Sequence, residues 1–256
     1  MVLIGRRQKD FCLFTQAKLW KKDIKVMFTT STHKLVMVKL LKEIYSDLTL
    51  GTLLGFKGGS ALYFFHKLPR FSVDLDFDLL DVSKKDLVLS KISEIAKKYG
   101  EVRESREKYY NLFWLISYKK GGRQLKIEVN KKGTGSSYEV KSYLGVPMKV
   151  MVKEDMFSHK LEALLERKRL ANRDIFDTWF MLKEPWSINW DVMGIKTSVK
   201  KKKLFIKRCI DLLKKNPPES ILSGLGELVD NKQKAWAKAN LLSDTIFLLK
   251  FYLKNL

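Results

Sequence analysis

The stretch KGGSALYFFHKLPRFSVDLDFDLL, residues 57–80, contains the features that decide the fold. Two glycines and a serine open an apolar run, Pro69 interrupts it, and aspartates then follow at every second position. Because side chains along a strand point alternately to its two faces, Asp74, Asp76 and Asp78 are predicted to share one face. The apolar residues between them are predicted to pack into the core.

The three aspartates form a locally unfavourable pattern. Aspartate is a poor strand former, and neighbouring carboxylates repel one another unless a positive charge lies among them. Local violations of this kind often mark functional sites. Carboxylate oxygens suit Mg²⁺ or Mn²⁺, which need few protein ligands when phosphates supply the others. A solvated strand edge with lysines as counter-ions is the alternative that the spacing leaves open.

A third metal ligand is available downstream. Residues 111–130, NLFWLISYKKGGRQLKIEVN, predict a β-hairpin with a Gly-Gly turn. In its second strand Glu128 lies on the polar face, so it completes an acidic cluster if this strand lies beside the aspartates. An ordinary exposed glutamate between lysines is the other interpretation, and Asp78 is the rival third acid.

The glycines before the apolar run indicate a close backbone approach. Free N–H groups at a helix start, together with the helix dipole, favour a phosphate at Gly58 and Gly59. Ser60 either caps the helix or donates its hydroxyl to the ligand, and a plain turn with a capping serine is the common alternative. A phosphate-binding turn, a short helix and a metal-binding strand in this order suit phosphoryl or nucleotidyl transfer.

The hydrophobic pattern predicts an α/β (α+β) protein with two domains, an α/β domain over residues 1–152 and a helical domain over 153–256. No strand is predicted after Lys153. The predicted elements are helices over 9–50, 61–68 and 84–100, strands over 52–56, 71–80 and 148–152, and the hairpin over 111–130.

The composition points to a polyanionic partner. The 256 residues carry 50 Lys and Arg against 28 acids, a formal charge of +22. Such an excess favours nucleic acid or an anionic membrane, although a lysine-rich surface kept for solubility has the same composition.

No apolar run reaches the roughly 18 residues of a membrane span. Two distant cysteines and three scattered histidines give no zinc-binding spacing, and a reducing cytoplasm is expected.

Two segments resemble the AbiEii/AbiGii-type nucleotidyltransferases, which are abortive-infection and toxin–antitoxin enzymes of the DNA polymerase β-like superfamily. The first family pattern is G-G-[ST]-x-L, a short helix and R-x-S-x-D-x-D. It is matched by Gly58, Gly59, Ser60, Leu62, Arg70, Ser72, Asp74 and Asp76. The second is a helix with an essential lysine followed by R-D-[hydrophobic]-[aromatic]-D. It is matched by Glu154, Lys160, Arg167, Arg173, Asp174 and Asp177.

The resemblance implies a nucleotidyltransferase fold, with a small mixed sheet flanked by helices and then a helical region. It implies transfer of a nucleoside monophosphate from an NTP to RNA, with tRNA 3′ ends as the best-attested acceptors, and it leaves open whether a cognate antitoxin exists. For Arg70 and Ser72, phosphate binding and bracing of the strand are equally open roles. The implied site residues are Asp74, Asp76 and Glu128 for Mg²⁺ or Mn²⁺; Lys57, Gly58, Gly59, Ser60, Arg70, Ser72 and Lys160 for the nucleotide; and Asp74, Asp76, Lys160 and Asp174 for catalysis.

Two other functions remain open at this point: nucleotide transfer onto a protein hydroxyl, and a non-catalytic basic protein that binds nucleic acid. The lysine-rich segment Lys200–Arg208 is the candidate RNA contact. Trp186 and Trp190 are either available for base stacking or part of the core.

Overall fold

The computed structural model describes residues 30–120, 122–167, 169–194, 198–215 and 217–256. The part of the first predicted helix over residues 9–29 lies outside these ranges. The helices are α1 (30–46), α2 (Leu48–Leu53), α3 (Gly58–Phe65), α4 (Lys85–Lys97), α5 (Lys153–Glu166), α6 (Asn172–Lys183), α7 (Val199–Lys215) and α8 (Asn231–Lys254), with a 3-10 turn at Val82–Lys84. The strands are β1 (Leu54–Lys57), β2 (Asp74–Leu79), β3 (Glu101–Glu107), β4 (Asn111–Ser117), β5 (Leu125–Asn130), β6 (Tyr138–Tyr143) and β7 (Val146–Met151).

The strands form one seven-stranded mixed sheet in the order β3-β4-β5-β2-β1-β7-β6. The β2–β5 and β1–β7 pairs are parallel, and the other neighbours are antiparallel. The predicted mixed sheet, the hairpin of β4 and β5 and the short strand β7 are therefore confirmed. Strand β2 is the central strand of the sheet, with three strands on each side of it.

Strand β2 follows the predicted alternation. Leu75 and Phe77 are fully buried on the apolar side, which explains why this sequence forms a central strand despite its aspartates. Helix α3 begins at Gly58, three residues before the predicted start, and packs against β2. It ends at Phe65 because Lys67 takes a left-handed conformation (φ 58°), so the helix stops before Pro69 rather than at it.

The two edge strands β3 and β6 were not predicted from the sequence. Their sequences, EVRESRE and YEVKSY, are mostly polar, and most of their side chains are exposed or partly exposed. An edge strand has few core contacts and commonly carries charges that discourage pairing with other chains. The apolar alternation on which strand prediction depends is therefore weak in both.

After Lys153 the described residues contain only helices and turns, as predicted. Helix α6 packs against α5 and α8, and α7 packs against α8. Strand β7 ends and α5 begins at the predicted boundary between residues 152 and 153, and the division into two domains stays a prediction. None of the helices in the described ranges is both long and apolar enough to cross a membrane.

Candidate active site

A cavity of about 480 Å³ lies between the polar face of β2 and β5, the start of α3, and the helices α5 and α6. Its lysines and arginines outnumber its carboxylates, and such a wall favours a polyanionic ligand. The cationic residues are Lys57, Arg70, Lys126, Lys160, Arg167 and Arg173, and the acidic ones are Asp74, Asp76 and Glu128. The structure thus brings both sequence motifs and the hairpin acid into one site.

The acidic residues come from neighbouring parallel strands. Asp76 of β2 is in register with Glu128 of β5, as expected if the hairpin lies beside the aspartates. Lys126 is in register with Asp74, and its Nζ lies 3.3 Å from Asp74 Oδ2 and 3.8 Å from Glu128 Oε2. No three acids, histidines or cysteines of the described chain form a group that could hold a metal ion unaided.

The electrostatics of Asp76 reflect this crowding. Burial and then the charge of Asp74 raise the pKa of the Asp76 carboxyl, with a smaller contribution from Glu128. A cation held between carboxylates relieves such repulsion. The oxygen donors at this position are the type that hard divalent cations prefer, and substrate phosphates can complete the coordination. The residues present therefore fit Mg²⁺ or Mn²⁺.

Asp78, the third aspartate of the stripe, has a structural role and is only 4% exposed. Its Oδ1 accepts hydrogen bonds from Lys57 Nζ at 2.5 Å and Asn130 Nδ2 at 2.9 Å. Its Oδ2 accepts one from the Tyr138 hydroxyl at 2.6 Å. With both oxygens hydrogen-bonded, Asp78 anchors Lys57 at the cavity wall and does not itself line the cavity.

The two glycines bring the backbone against the acids. Gly58 has a left-handed conformation (φ 77°), and a Cβ there would lie 2.6 Å from Asp76 Oδ2. A Cβ on Gly59 would lie 2.8 Å from Ser72 Oγ. Only glycine fits both positions without displacement, so the start of α3 comes close to Asp76 at Gly58 and to Ser72 at Gly59.

The Ser60 side chain takes neither of the two roles expected from the sequence. Helix α3 begins at Gly58, so Ser60 lies inside the first turn and is not the cap. Its hydroxyl is fully buried and donates a hydrogen bond to the carbonyl oxygen of Asp74. The hydroxyl ties α3 to β2 and is not directed at the cavity, because the aspartate backbone is its partner.

A buried ion network connects the two motifs. Asp177 Oδ1 and Oδ2 accept hydrogen bonds from Arg70 Nε at 2.6 Å and Nη2 at 2.7 Å, and Lys160 Nζ lies 2.8 Å from Oδ2. Burial alone would raise the pKa of Asp177, but the charges of Arg70 and Lys160 lower it to about 2. Since Arg70 is only 3% exposed, its contacts support bracing rather than phosphate binding.

Lys160 is held by a second carboxylate. Its Nζ lies 3.3 Å from Asp174 Oδ1, and Arg167 Nε lies 2.9 Å from Asp174 Oδ2. These residues converge although they are not on one continuous helix: α5 ends at Glu166, Arg167 is extended, and α6 begins at Asn172.

Three residues that shape the site have no role assigned by the sequence patterns, namely Asp177, Lys126 and Tyr138. Asp177 matches the family pattern, and its position three residues after Asp174 places both on one face of α6, which could have indicated its role. Lys126 lies two residues before Glu128 on β5 and therefore shares its polar face, so its place beside the acids could also have been inferred. Tyr138 could not, since it comes from an edge strand distant in sequence.

Comparisons with known proteins give a family match and two structural neighbours. The family model described as "Nucleotidyl transferase AbiEii toxin, Type IV TA system" matches residues 39–239. Among solved structures, JHP933 from Helicobacter pylori aligns with a TM-score of 0.54 and 18% identity over 88% of this chain and 92% of that chain. An H. pylori protein assigned as a nucleotidyltransferase aligns with a TM-score of 0.53 and 20% identity over 88% and 96%. No curated protein matches the sequence.

Proposed function

The chain belongs to the AbiEii nucleotidyl transferase toxin family and is a nucleotidyltransferase, and from this premise we propose that it transfers a nucleoside monophosphate from an NTP to RNA with the help of a divalent cation. The observation that supports this proposal is the cavity in which a cationic wall and the Gly58–Gly59 turn face Asp74 and Asp76. A tRNA 3′ end is the proposed acceptor, in the cytoplasm where NTPs and tRNA meet.

Asp74 and Asp76 would hold Mg²⁺ or Mn²⁺, with Glu128 as the adjacent acid. The ion would neutralise charge on the triphosphate and on the departing pyrophosphate. Lys126 lies between Asp74 and Glu128 and partly neutralises them. Its ammonium therefore keeps the carboxylates together before the substrate arrives.

The triphosphate is proposed to lie against the start of α3. The N–H groups at Gly58 and Gly59 donate to phosphate oxygens, and Lys57, oriented by Asp78, adds a positive charge. Lys160 faces the same cavity and neutralises the charge that builds on the leaving group. Asp174 acts through Lys160, which it positions.

In the reaction, the acceptor hydroxyl oxygen forms a bond to the α-phosphorus while the bond from that phosphorus to the bridging oxygen breaks. Pyrophosphate leaves with the electron pair, and the proton of the hydroxyl passes to a carboxylate of the acidic cluster.

The experiment that tests the proposed function is labelling of total cellular RNA with each of the four α-labelled NTPs in turn. RNase-sensitive label that requires Mg²⁺ or Mn²⁺ is the expected result. RNase-resistant label on a protein band would instead establish transfer onto a protein hydroxyl. Salt-sensitive RNA binding without label under any condition would establish a non-catalytic binding protein. The family also implies a cognate antitoxin, whose coexpression should relieve growth inhibition.

The turn glycine provides a first prediction. Gly58→Ala should strongly reduce the transfer rate because the new methyl group meets the Asp76 carboxylate and the left-handed backbone becomes strained by about 1–2 kcal/mol. The rate and the thermal midpoint are measured together. Gly145→Ala is the matched control, because Gly145 is also left-handed (φ 79°) and a Cβ there meets nothing within 4 Å. Wild-type activity in Gly58→Ala would refute the close approach at this turn.

The lysines of α7 provide a second prediction, following the interpretation of Lys200–Arg208 as an RNA contact. Lys200, Lys201 and Lys207 are exposed, and changing all three to glutamine should lower the slope of RNA affinity against salt by about 2 on logarithmic axes. An unchanged slope would exclude this face. The control carries three glutamines at exposed α8 lysines, namely Lys232, Lys238 and Lys250.

The tryptophans are better explained as core residues than as stacking platforms. Trp190 is only 8% exposed and its ring contacts Phe205 edge to face. Trp186 is partly buried and contacts His66 and Phe180 in the same manner. The RNA-stacking role is therefore not assigned to either of them.

A further inference from the structure

The turn between β3 and β4 carries two exposed aromatic side chains. Tyr109 is 87% exposed and Tyr110 is 62% exposed. Their rings meet edge to face, with centroids 4.5 Å apart and planes at 87°. Short turns between antiparallel strands usually carry Gly, Asn or Asp. Two tyrosines that present apolar area to solvent at such a turn have no packing explanation.

Tyr110 connects the active-site cavity to a second groove. It lines the cavity together with Asn111, and it also lines a shallow groove of about 460 Å³ with Tyr109. The backbone fixes this position, because Lys131 N donates a hydrogen bond to the Tyr110 carbonyl oxygen at 2.8 Å. The turn therefore lies directly beyond the end of β5, the strand that places Glu128 among the acids.

The groove has the charge of a nucleic-acid contact. Its charged residues are Lys85, Lys131, Lys132 and Glu107. Glu107 pairs with Lys85 at 2.9 Å and also with Lys131. Lys132 is exposed and forms no ion pair with any described residue. Basic side chains beside exposed aromatic rings are the combination that binds single-stranded nucleic acid, with rings for the bases and cations for the backbone.

We propose that this groove, here called the tyrosine groove and defined by Tyr109, Tyr110, Lys131 and Lys132, binds the unpaired 3′ end of the acceptor RNA. Tyr109 and Tyr110 stack on its bases, Lys132 contacts its phosphates, and Lys131, paired with Glu107, forms part of the groove wall. The terminal nucleotide passes Tyr110 into the cavity, where its hydroxyl meets the acidic cluster. This inference rests on the proposed RNA acceptor.

The test measures binding of a 5′-fluorescent single-stranded oligoribonucleotide of about 10 nucleotides by anisotropy, without NTP, and the KM for RNA and for NTP in transfer. Tyr109→Ala and Tyr110→Ala should each weaken RNA binding about tenfold or more and raise the KM for RNA equally. Tyr110→Phe keeps the ring and should bind as the wild type does. Phe251→Ala removes an aromatic side chain of similar exposure, 61%, from α8 and serves as the control.

Two results would overturn the inference. RNA binding by both alanine variants equal to that of the wild type would exclude stacking in the groove. A change confined to the KM for NTP would instead place Tyr110 against the base of the incoming nucleotide. Failure of the proposed function is a separate result, since it appears as absence of RNA labelling by the wild-type protein, whereas the anisotropy measurement needs no catalysis.

Discussion

Asp76→Asn should lower kcat for nucleotidyl transfer by about a thousandfold or more while the protein stays folded. Asparagine keeps the shape of the side chain but removes the charge that would bind the cation. Burial and Asp74 raise the pKa of Asp76, which means that the folded protein disfavours the charged form. The neutral amide removes this penalty, so the thermal midpoint should be equal to or higher than that of the wild type.

The control for this prediction is Asp86→Asn, the same chemical change at an exposed position of α4. It should leave kcat unchanged and lower the thermal midpoint only slightly, because Asp86 lies in the first turn of α4, where a carboxylate interacts favourably with the helix dipole. Wild-type kcat in Asp76→Asn would disprove the role of this carboxylate. Loss of activity together with unfolding of Asp76→Asn would show that the residue is structural.

The second large effect is expected on stability. Asp177→Asn should cost about 3–5 kcal/mol in the free energy of unfolding, because it leaves the buried Arg70 guanidinium without its counter-ion. Lys160 loses one of its two carboxylate partners, so the KM for NTP should rise as well. Urea denaturation near neutral pH measures the stability term. Asp211→Asn, at an exposed aspartate of α7, is the control and should be neutral.

The pH dependence gives this prediction a second readout. The pKa of Asp177 is about 2 in the folded protein, below the ordinary aspartate value of about 3.9. Because the pKa of Asp177 is lower in the folded than in the unfolded protein, the ionised carboxylate stabilises the fold at pH values above about 3.9. This contribution is lost as the pH falls toward 2. The wild type should therefore lose stability steeply on acidification, and Asp177→Asn should show a smaller slope. Equal slopes would contradict the ion network.

Much of the site followed from local pattern and family resemblance. The alternation around Asp74 and Asp76 predicts their strand and shared face, and the same rule at Glu128 predicts its approach from the hairpin. These inferences succeed because strand periodicity depends on neighbouring residues and on burial of one face. The convergence of Lys160 and Asp174 was indicated by the family motif, and helices α5 and α6 produce it.

The remaining features depend on contacts between residues distant in sequence. Asp78 resembles its two neighbours in the stripe, and only the arrival of Tyr138 from an edge strand shows that it is structural. Gly55 permits this contact, because a Cβ there would lie 2.1 Å from the Tyr138 ring. For Arg70, sequence alone leaves bracing and phosphate binding equal, and the buried partner Asp177 favours bracing.

The most direct measurement of the central claim is a crystal structure of the protein with a nonhydrolysable NTP analogue and Mn²⁺, with the metal located by its anomalous signal. We predict that Mn²⁺ binds to Asp74 and Asp76, with the phosphates against Gly58 and Gly59 and beside Lys160. A nucleotide and Mn²⁺ bound elsewhere on the protein, with this cavity empty, would contradict the account.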